Sequence, residues 1–384
     1  MSPSPTTGRW RAWLGQRAAA REGAGLRRSL RPRTPDSDLV DLAGNDYLGL
    51  SRHPAVVAAA AKSARRWGAG AGASRLVTGT LDLHTDLETA LAAFLGRPAA
   101  LVMSTGYHAN LGAVTALVDR DCLVVSDAHV HASLVDAIRL SRADVTIVPH
   151  NNVAAVSSAL ASAGDRRALV VVESVYSVLG DAAPLADLAA LVTAYDAMLL
   201  VDEAHGLGVA GQDGRGLVHA HGLAGRSDMV VTATLSKALG AQGGAVLGSA
   251  EVVEHLVNTS RPFIFDTGLA PAAAGAALAA LELLRTTPAL PALVGERMRA
   301  LAGALDVPPV AGAVLSVAMP SPQVALAAQA AAREEGVLVG CFRPPSVPDG
   351  ISRLRITVGG GIPDAEWARA ADVVGRVVKE HGSR

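Results

Sequence analysis

Between about residue 97 and 250, seven short β-rich apolar runs alternate with segments of helical spacing: 99–103, 122–125, 144–148, 168–172, 198–202, 229–232 and 244–248. This alternation constrains the fold more than any other feature. A strand followed by a crossover helix and a further strand forms a right-handed βαβ unit, so the runs predict one mainly parallel, doubly wound, seven-stranded sheet in an α/β fold. Segments 129–142 and 184–196 carry apolar residues at helical spacing and are long enough to cross over.

On either side the pattern changes. Residues 54–67 read as a helix stopped by Gly68, and Gly68-Ala-Gly-Ala-Gly-Ala-Ser74 reads as a backbone-exposing loop. After about 270 come an Ala/Leu helix to Arg285, proline punctuation, short strands near 313–319 and 353–358, and a last helix from Pro363 to Glu380. The expected division is an N-terminal segment over 1–49, a large domain over 50–275 and a smaller α+β domain over 276–384.

Composition removes several classes of function. Half the residues are apolar and 18% are charged, which excludes intrinsic disorder. The 34 basic and 35 acidic residues nearly cancel, so nothing draws the whole chain to nucleic acid, and a small-molecule partner is expected. Cys122 and Cys341 are too few for a cysteine zinc site and fit a reducing, cytoplasmic setting. The uncharged stretches 98–118 and 307–332 are broken by polar residues or prolines, so no membrane span is expected. The first 33 residues hold eight arginines against Glu22; they read as a basic helix and linker, with a transit peptide as the alternative.

Only three lysines occur, Lys62, Lys237 and Lys379, so amine chemistry has few places to live. Lys237 alone follows a buried strand, in Thr234-Leu-Ser-Lys237, where desolvation would make its amine more nucleophilic. About 35 residues earlier, Val201-Asp202-Glu203-Ala204-His205 puts an acid and a histidine at a strand's carboxyl end, the edge where open α/β sheets bind ligands. An aspartate and a lysine so placed suit pyridoxal phosphate, whose ring nitrogen needs a carboxylate and whose aldehyde needs an amine. Ser104-Thr-Gly106-Tyr107-His108-Ala-Asn110, between strand and helix, would offer backbone amides to the phosphate.

Other readings of the same residues are weaker. Asp-Glu-Ala-His also labels a helicase box, yet no lysine lies in a phosphate-cradling Gly-x-x-x-x-Gly-Lys loop. Gly206-Leu-Gly208-Val-Ala-Gly211 spells a dinucleotide fingerprint, but Gln212-Asp-Gly-Arg-Gly216 continues it as a loop where a helix should open. The pairs His129/His131 and His219/His221 lack a third metal ligand, so no metal is expected.

Six segments carry a resemblance that runs from about Leu26 to the last helix: Asn45-Asp-Tyr-Leu-Gly-Leu50, Gly72-Ala-Ser-Arg-Leu-Val-Thr-Gly79, His131-Ala-Ser-Leu134, Asp202-Glu-Ala-His-Gly206, Thr234-Leu-Ser-Lys237 and Arg343-Pro-Pro-Ser-Val-Pro348. Together they resemble the α-oxoamine synthases, pyridoxal-phosphate enzymes with the aspartate aminotransferase type of fold (PLP fold type I). The resemblance implies that Lys237 is the Schiff-base lysine, that Asp202 partners the pyridine nitrogen, that His131 stacks on the ring, and that His205 and Ser177 lie near its phenolic oxygen. It implies that Gly106, Tyr107 and Thr234 hold the phosphate, joined by Thr267 from the neighbouring subunit of a homodimer. Arg27, Asn45, Ser346 and Arg355, with His131, would line the substrate site.

The implied substrates are L-alanine and pimeloyl-CoA, or pimeloyl-acyl-carrier protein, condensed with loss of carbon dioxide in biotin biosynthesis. Condensation of glycine with acetyl-CoA, or of serine with palmitoyl-CoA, stays open because such relatives share the catalytic residues. Phe265, where relatives often carry tyrosine, and Leu235, Ser236, Ala238 and Leu239 in the lysine loop depart from the family pattern.

Overall fold

The computed structural model describes residues 8–382 except 25, 29, 345, 346 and 348. It divides into two compact units after Asp38. In the first, the basic N-terminal stretch forms the expected helix, Gly8–Gly23, with no buried side chain. Arg27, beyond that helix, donates to Glu22 at 3.2 Å, and both side chains are exposed.

Among the described residues the second unit contains all eleven strands: β1 Val40–Leu42, β2 Ala99–Met103, β3 Leu123–Asp127, β4 Asp144–Val148, β5 Ala168–Glu173, β6 Met198–Asp202, β7 Met229–Thr234, β8 Gly244–Gly248, β9 Val314–Ala318, β10 Val337–Phe342 and β11 Arg353–Thr357. The seven apolar runs form one sheet in the order β2-β8-β7-β6-β5-β3-β4. β4, β3, β5, β6 and β7 are parallel, whereas β8 runs antiparallel to both β7 and β2.

Six of the runs lack polar alternation because both faces of the sheet are covered there, whereas the edge strand β4 is largely exposed. Every residue of β3, β5 and β7 is buried. Alternate residues serve opposite faces: Val170, Val172, Leu199, Val201, Met229 and Val231 join one apolar core, while Leu169, Val171, Leu200 and Val230 join the other. This parallel register brings Glu173 beside Asp202 and Asp202 beside Thr232, lining up polar strand ends at the sheet's carboxyl edge. The Gly206–Gly211 stretch stays a loop; a single 3-10 turn, Gln212–Gly214, interrupts the loop expected to follow, and the next α-helix, Gly216–Ala220, is only five residues long.

A second sheet has the order β1-β10-β11-β9, with β1 parallel to β10. Strands at 314–318 and 353–357 and the final helix Asp364–Gly382 fall where the sequence placed them. β10 and the helices Ala289–Ala304 and Pro322–Glu334 do not stand out in the sequence, for a physical reason. Pro322 sits in the first helical turn, where its missing N–H costs nothing, and Ser321 caps the Val324 amide, so the prolines open helices as well as break them. Among the described residues no single helix is long and apolar enough to cross a membrane.

Candidate active site

Lys237 lies in the turn after β7. That turn closes with the Gly240 amide on the Lys237 carbonyl at 2.9 Å, and Gly240 takes φ 59°, where an added Cβ would fall 2.2 Å from the Ser51 nitrogen. Only glycine fits there. The Lys237 Nζ lies 3.0 Å from His205 Nε2, and His205 Nδ1 lies 2.6 Å from the Tyr47 hydroxyl. Burial lowers the lysine's pKa to about 8, although the negative charge of Asp202 opposes the shift. Burial, with Lys237, Arg355 and His131 nearby, holds His205 well below the usual histidine range, so its ring is neutral.

Asp202, buried at the end of β6, has both oxygens engaged. Oδ2 accepts from Asn110 Nδ2 at 2.7 Å and Oδ1 from the Ala204 amide at 2.9 Å. Asn110 is fixed in turn: its Oδ1 accepts from Thr232 Oγ1 at 2.6 Å, and its Nδ2 also donates to Ser133 Oγ at 2.9 Å. Ser133 Oγ reaches His131 Nδ1 at 2.8 Å. A continuous polar line thus runs from Asp202 to His131, the N-cap of the Ala132–Ser141 helix. The His131 ring is open to the cleft, yet enough protein surrounds it that burial lowers its proton affinity.

The Gly106–Leu117 helix begins directly after β2 and is capped by Thr105, whose hydroxyl accepts from the His108 amide at 3.0 Å. Gly106 and Tyr107 occupy its first turn, whose amides have no partner within the helix and face an anion favourably. A Cβ on Gly106 would stand 2.9 Å from Thr234 Cβ, so the backbone approaches Thr234 as closely as glycine allows. The Thr234 hydroxyl bonds Ser236 Oγ at 2.7 Å, next to Lys237.

Arg355 on β11 is buried and closes the opposite wall. Its Nε donates to the Ser177 carbonyl at 2.8 Å, and its two terminal nitrogens lie 3.2 and 3.3 Å from Asn45 Oδ1. A cleft of about 660 Å³ is lined by Asn45, His129, His131, Ser177, His205, Lys237 and Arg355, with Val130, Val135, Val178 and Phe342 as apolar wall.

The structure thus brings together Lys237, His205, His131, Ser177, Asn45 and Arg355 around one cleft, with Asp202 and the Gly106/Thr234 approach tied to it. Thr267 is exposed; it pairs with Ser74 in an isolated antiparallel bridge and does not line the cleft. Ser346 lies outside the described residues. Tyr47 and Asn110 belong to segments legible in the sequence, yet their contacts with His205 and Asp202 span 158 and 92 residues and needed the fold. Glu173 and His150 carried no sequence signal. His150 bridges Asp127 at 2.9 Å and Asp181 at 2.8 Å and stacks on His129, with ring centroids 4.0 Å apart.

These residues fit pyridoxal phosphate. A buried amine of lowered pKa, a buried carboxylate with both oxygens fixed, and a helix start that a single Cβ would crowd are what its aldehyde, ring nitrogen and phosphate require.

Comparison with known proteins agrees. Residues 37–374 match the family described as aminotransferase class I and II. The 8-amino-7-oxononanoate synthase of Mycolicibacterium gilvum is 55% identical over 366 residues, covering 94% of this chain and 96% of that protein. Among solved structures, Sphingomonas wittichii serine palmitoyltransferase superposes with a TM-score of 0.90 at 28% identity, covering 99% of both chains. The 8-amino-7-oxononanoate synthase of Francisella tularensis gives 0.75 at 25% identity, covering 89% of this chain and 98% of that one.

Proposed function

Because the chain belongs to the class I and II aminotransferase family, we propose that it condenses L-alanine with pimeloyl-CoA, releasing CoA and carbon dioxide and forming 8-amino-7-oxononanoate for biotin synthesis. It is a pyridoxal-phosphate-dependent acyltransferase. The observation that carries the reading is the meeting of Lys237, the fixed Asp202 and Arg355 at one cleft.

When bound, the cofactor supplies an electron-withdrawing ring that accepts the charge left as alanine's α-carbon loses a proton. The residues do the rest. Lys237 is the amine that holds the cofactor; with a pKa near 8 it is partly deprotonated at neutral pH and able to take the α-proton on Nζ. Asp202 keeps a proton on the ring nitrogen, and Asn110 and the Ala204 amide stop it turning away. The Gly106 and Tyr107 amides, with Thr234, receive the phosphate.

His131 has a defined tautomer. Its Nδ1 accepts from the Ser133 amide at 3.3 Å, which leaves the proton of the neutral ring on Nε2, free to donate to the acyl carbonyl as negative charge develops there. His205 and Ser177 would lie near the cofactor's phenolic oxygen. Arg355, aimed by the Ser177 carbonyl and Asn45, presents a planar fork to alanine's carboxylate. His131 and the apolar wall would keep water from alanine's α-carbon.

Arg27 and Ser346 are proposed as substrate contacts on the family resemblance alone. A homodimer in which Thr267 completes the other subunit's phosphate site accounts for its place away from its own cleft, and the cytoplasm is the proposed compartment. Pairing alanine, glycine and serine each with acetyl-, pimeloyl- and palmitoyl-CoA, and measuring CoA release, tests the reading. Alanine with pimeloyl-CoA should lead by at least tenfold; a lead for serine with palmitoyl-CoA would overturn it.

A further inference from the structure

Glu173 ends β5 as Asp202 ends β6, and the two are register partners. At 2% and 5% exposure they place two carboxyl groups side by side out of water. Their surroundings differ. Asp202 has donors on both oxygens, whereas Glu173 Oε2 accepts only from the Ser177 amide, at 3.0 Å, and Oε1 is buried with no hydrogen-bond partner. Burial and the Asp202 charge push the Glu173 carboxyl up to about 8, so it carries its proton at neutral pH.

The Ser177 peptide is the hinge of a short relay. Its N–H donates to Glu173 and its carbonyl accepts from Arg355 Nε at 2.8 Å. The Arg355 fork then meets Asn45 Oδ1. A planar guanidinium binds a carboxylate through two parallel bonds only when its plane is fixed, so whatever fixes Ser177 governs that geometry.

We infer that Glu173 is a positioning residue that sets Arg355 for the amino-acid carboxylate through the backbone of Ser177. The inference rests on the reading of Arg355 as the carboxylate anchor. The groups whose charge acts on Glu173 are Asp202 on β6 and Lys237 after β7. Its role requires an acceptor oxygen and no charge, since a second carboxylate beside Asp202 would raise the proton affinity of Lys237 and withdraw the base.

Four holoenzyme variants test this. Glu173→Gln keeps the acceptor without charge, and the alanine KM should stay within about threefold of the parent. Glu173→Ala removes the acceptor, and the alanine KM and the calorimetric Kd for alanine should rise at least tenfold, with the acyl-CoA KM unmoved. Glu173→Met fills the volume without an acceptor and makes the same comparison should Glu173→Ala fail to fold. Arg355→Lys separates the two levels. If it leaves the alanine KM unchanged, the anchor reading fails; if it raises the KM while Glu173→Ala and Glu173→Met do not, the relay alone is wrong. A Gln variant as impaired as the Ala variant would also overturn the relay. The measurement holds for whichever amino acid the parent turns over best, so it does not depend on alanine being the substrate.

Discussion

The Asp127–His150–Asp181 bridge joins the end of β3 to the loop after β5, behind the cleft wall that carries His129. Burial works against charge on His150, but the hydrogen bonds its ring donates to both carboxylates outweigh it and push the imidazole up to about 9 from its ordinary 6.5. At about 1.4 kcal/mol for each tenfold change in proton affinity, this corresponds to about 3 kcal/mol, reduced to about 2 because Asp181 is partly open to solvent. A raised pKa in the folded state contributes stability that is complete below pH 6.5 and lost as pH rises through about 9. Asp127 is held low by the same contact, so its shift describes that contact again and is not added. His150→Gln should therefore lower Tm by about 2–3 °C at pH 6, taking the entropy of unfolding as proportional to chain length. The gap between parent and variant should shrink by pH 10. Scanning calorimetry of both holoenzymes at fixed concentration reads it, and a gap that is absent at pH 6 or equal at both pH values would refute the electrostatic account.

Three further outcomes follow from the site. Asp202→Asn should leave the fold and cofactor in place yet slow α-deuterium exchange from L-alanine by at least a hundredfold, because an amide cannot hold the ring nitrogen's proton; near-parent exchange would make Asp202 structural. Gly106→Val should raise the cofactor's Kd by at least tenfold, since its Cβ would meet Thr234 at 2.9 Å, with absorbance titration of the apoenzyme as the measure. Mixing Lys237→Ala with Thr267→Ala subunits should restore activity, because in the mixed dimer both defects fall in one site and the other is intact; no recovery after confirmed subunit exchange would argue against a shared site.

The large sheet is legible in the sequence because a strand covered on both faces must be apolar throughout, and six such runs beside the exposed edge strand β4 leave little choice of architecture. Lys237 and Asp202 are legible for a related reason: a polar group directly after a buried strand stands out, and only three lysines compete. The small sheet is only partly legible, since β10 contains Gly340 and Cys341 and two of the nearby helices begin at prolines. Long-range polar partners are not legible at all. Nothing local marks Tyr47 as the partner of His205, because a contact across 158 residues depends on the whole fold. Thr267 is the reverse case, a residue named by resemblance whose own chain places it in a bridge with Ser74.

The central claim is that this cleft joins alanine to a pimeloyl thioester with loss of alanine's carboxylate. Holoenzyme supplied with alanine labelled with carbon-13 at the carboxylate and with pimeloyl-CoA should release one labelled carbon dioxide and one CoA per turnover, leaving an unlabelled product with the mass of 8-amino-7-oxononanoate. Lys237→Ala should abolish all three. CoA release without labelled carbon dioxide, or an aminoketone formed equally well by Lys237→Ala, would contradict it.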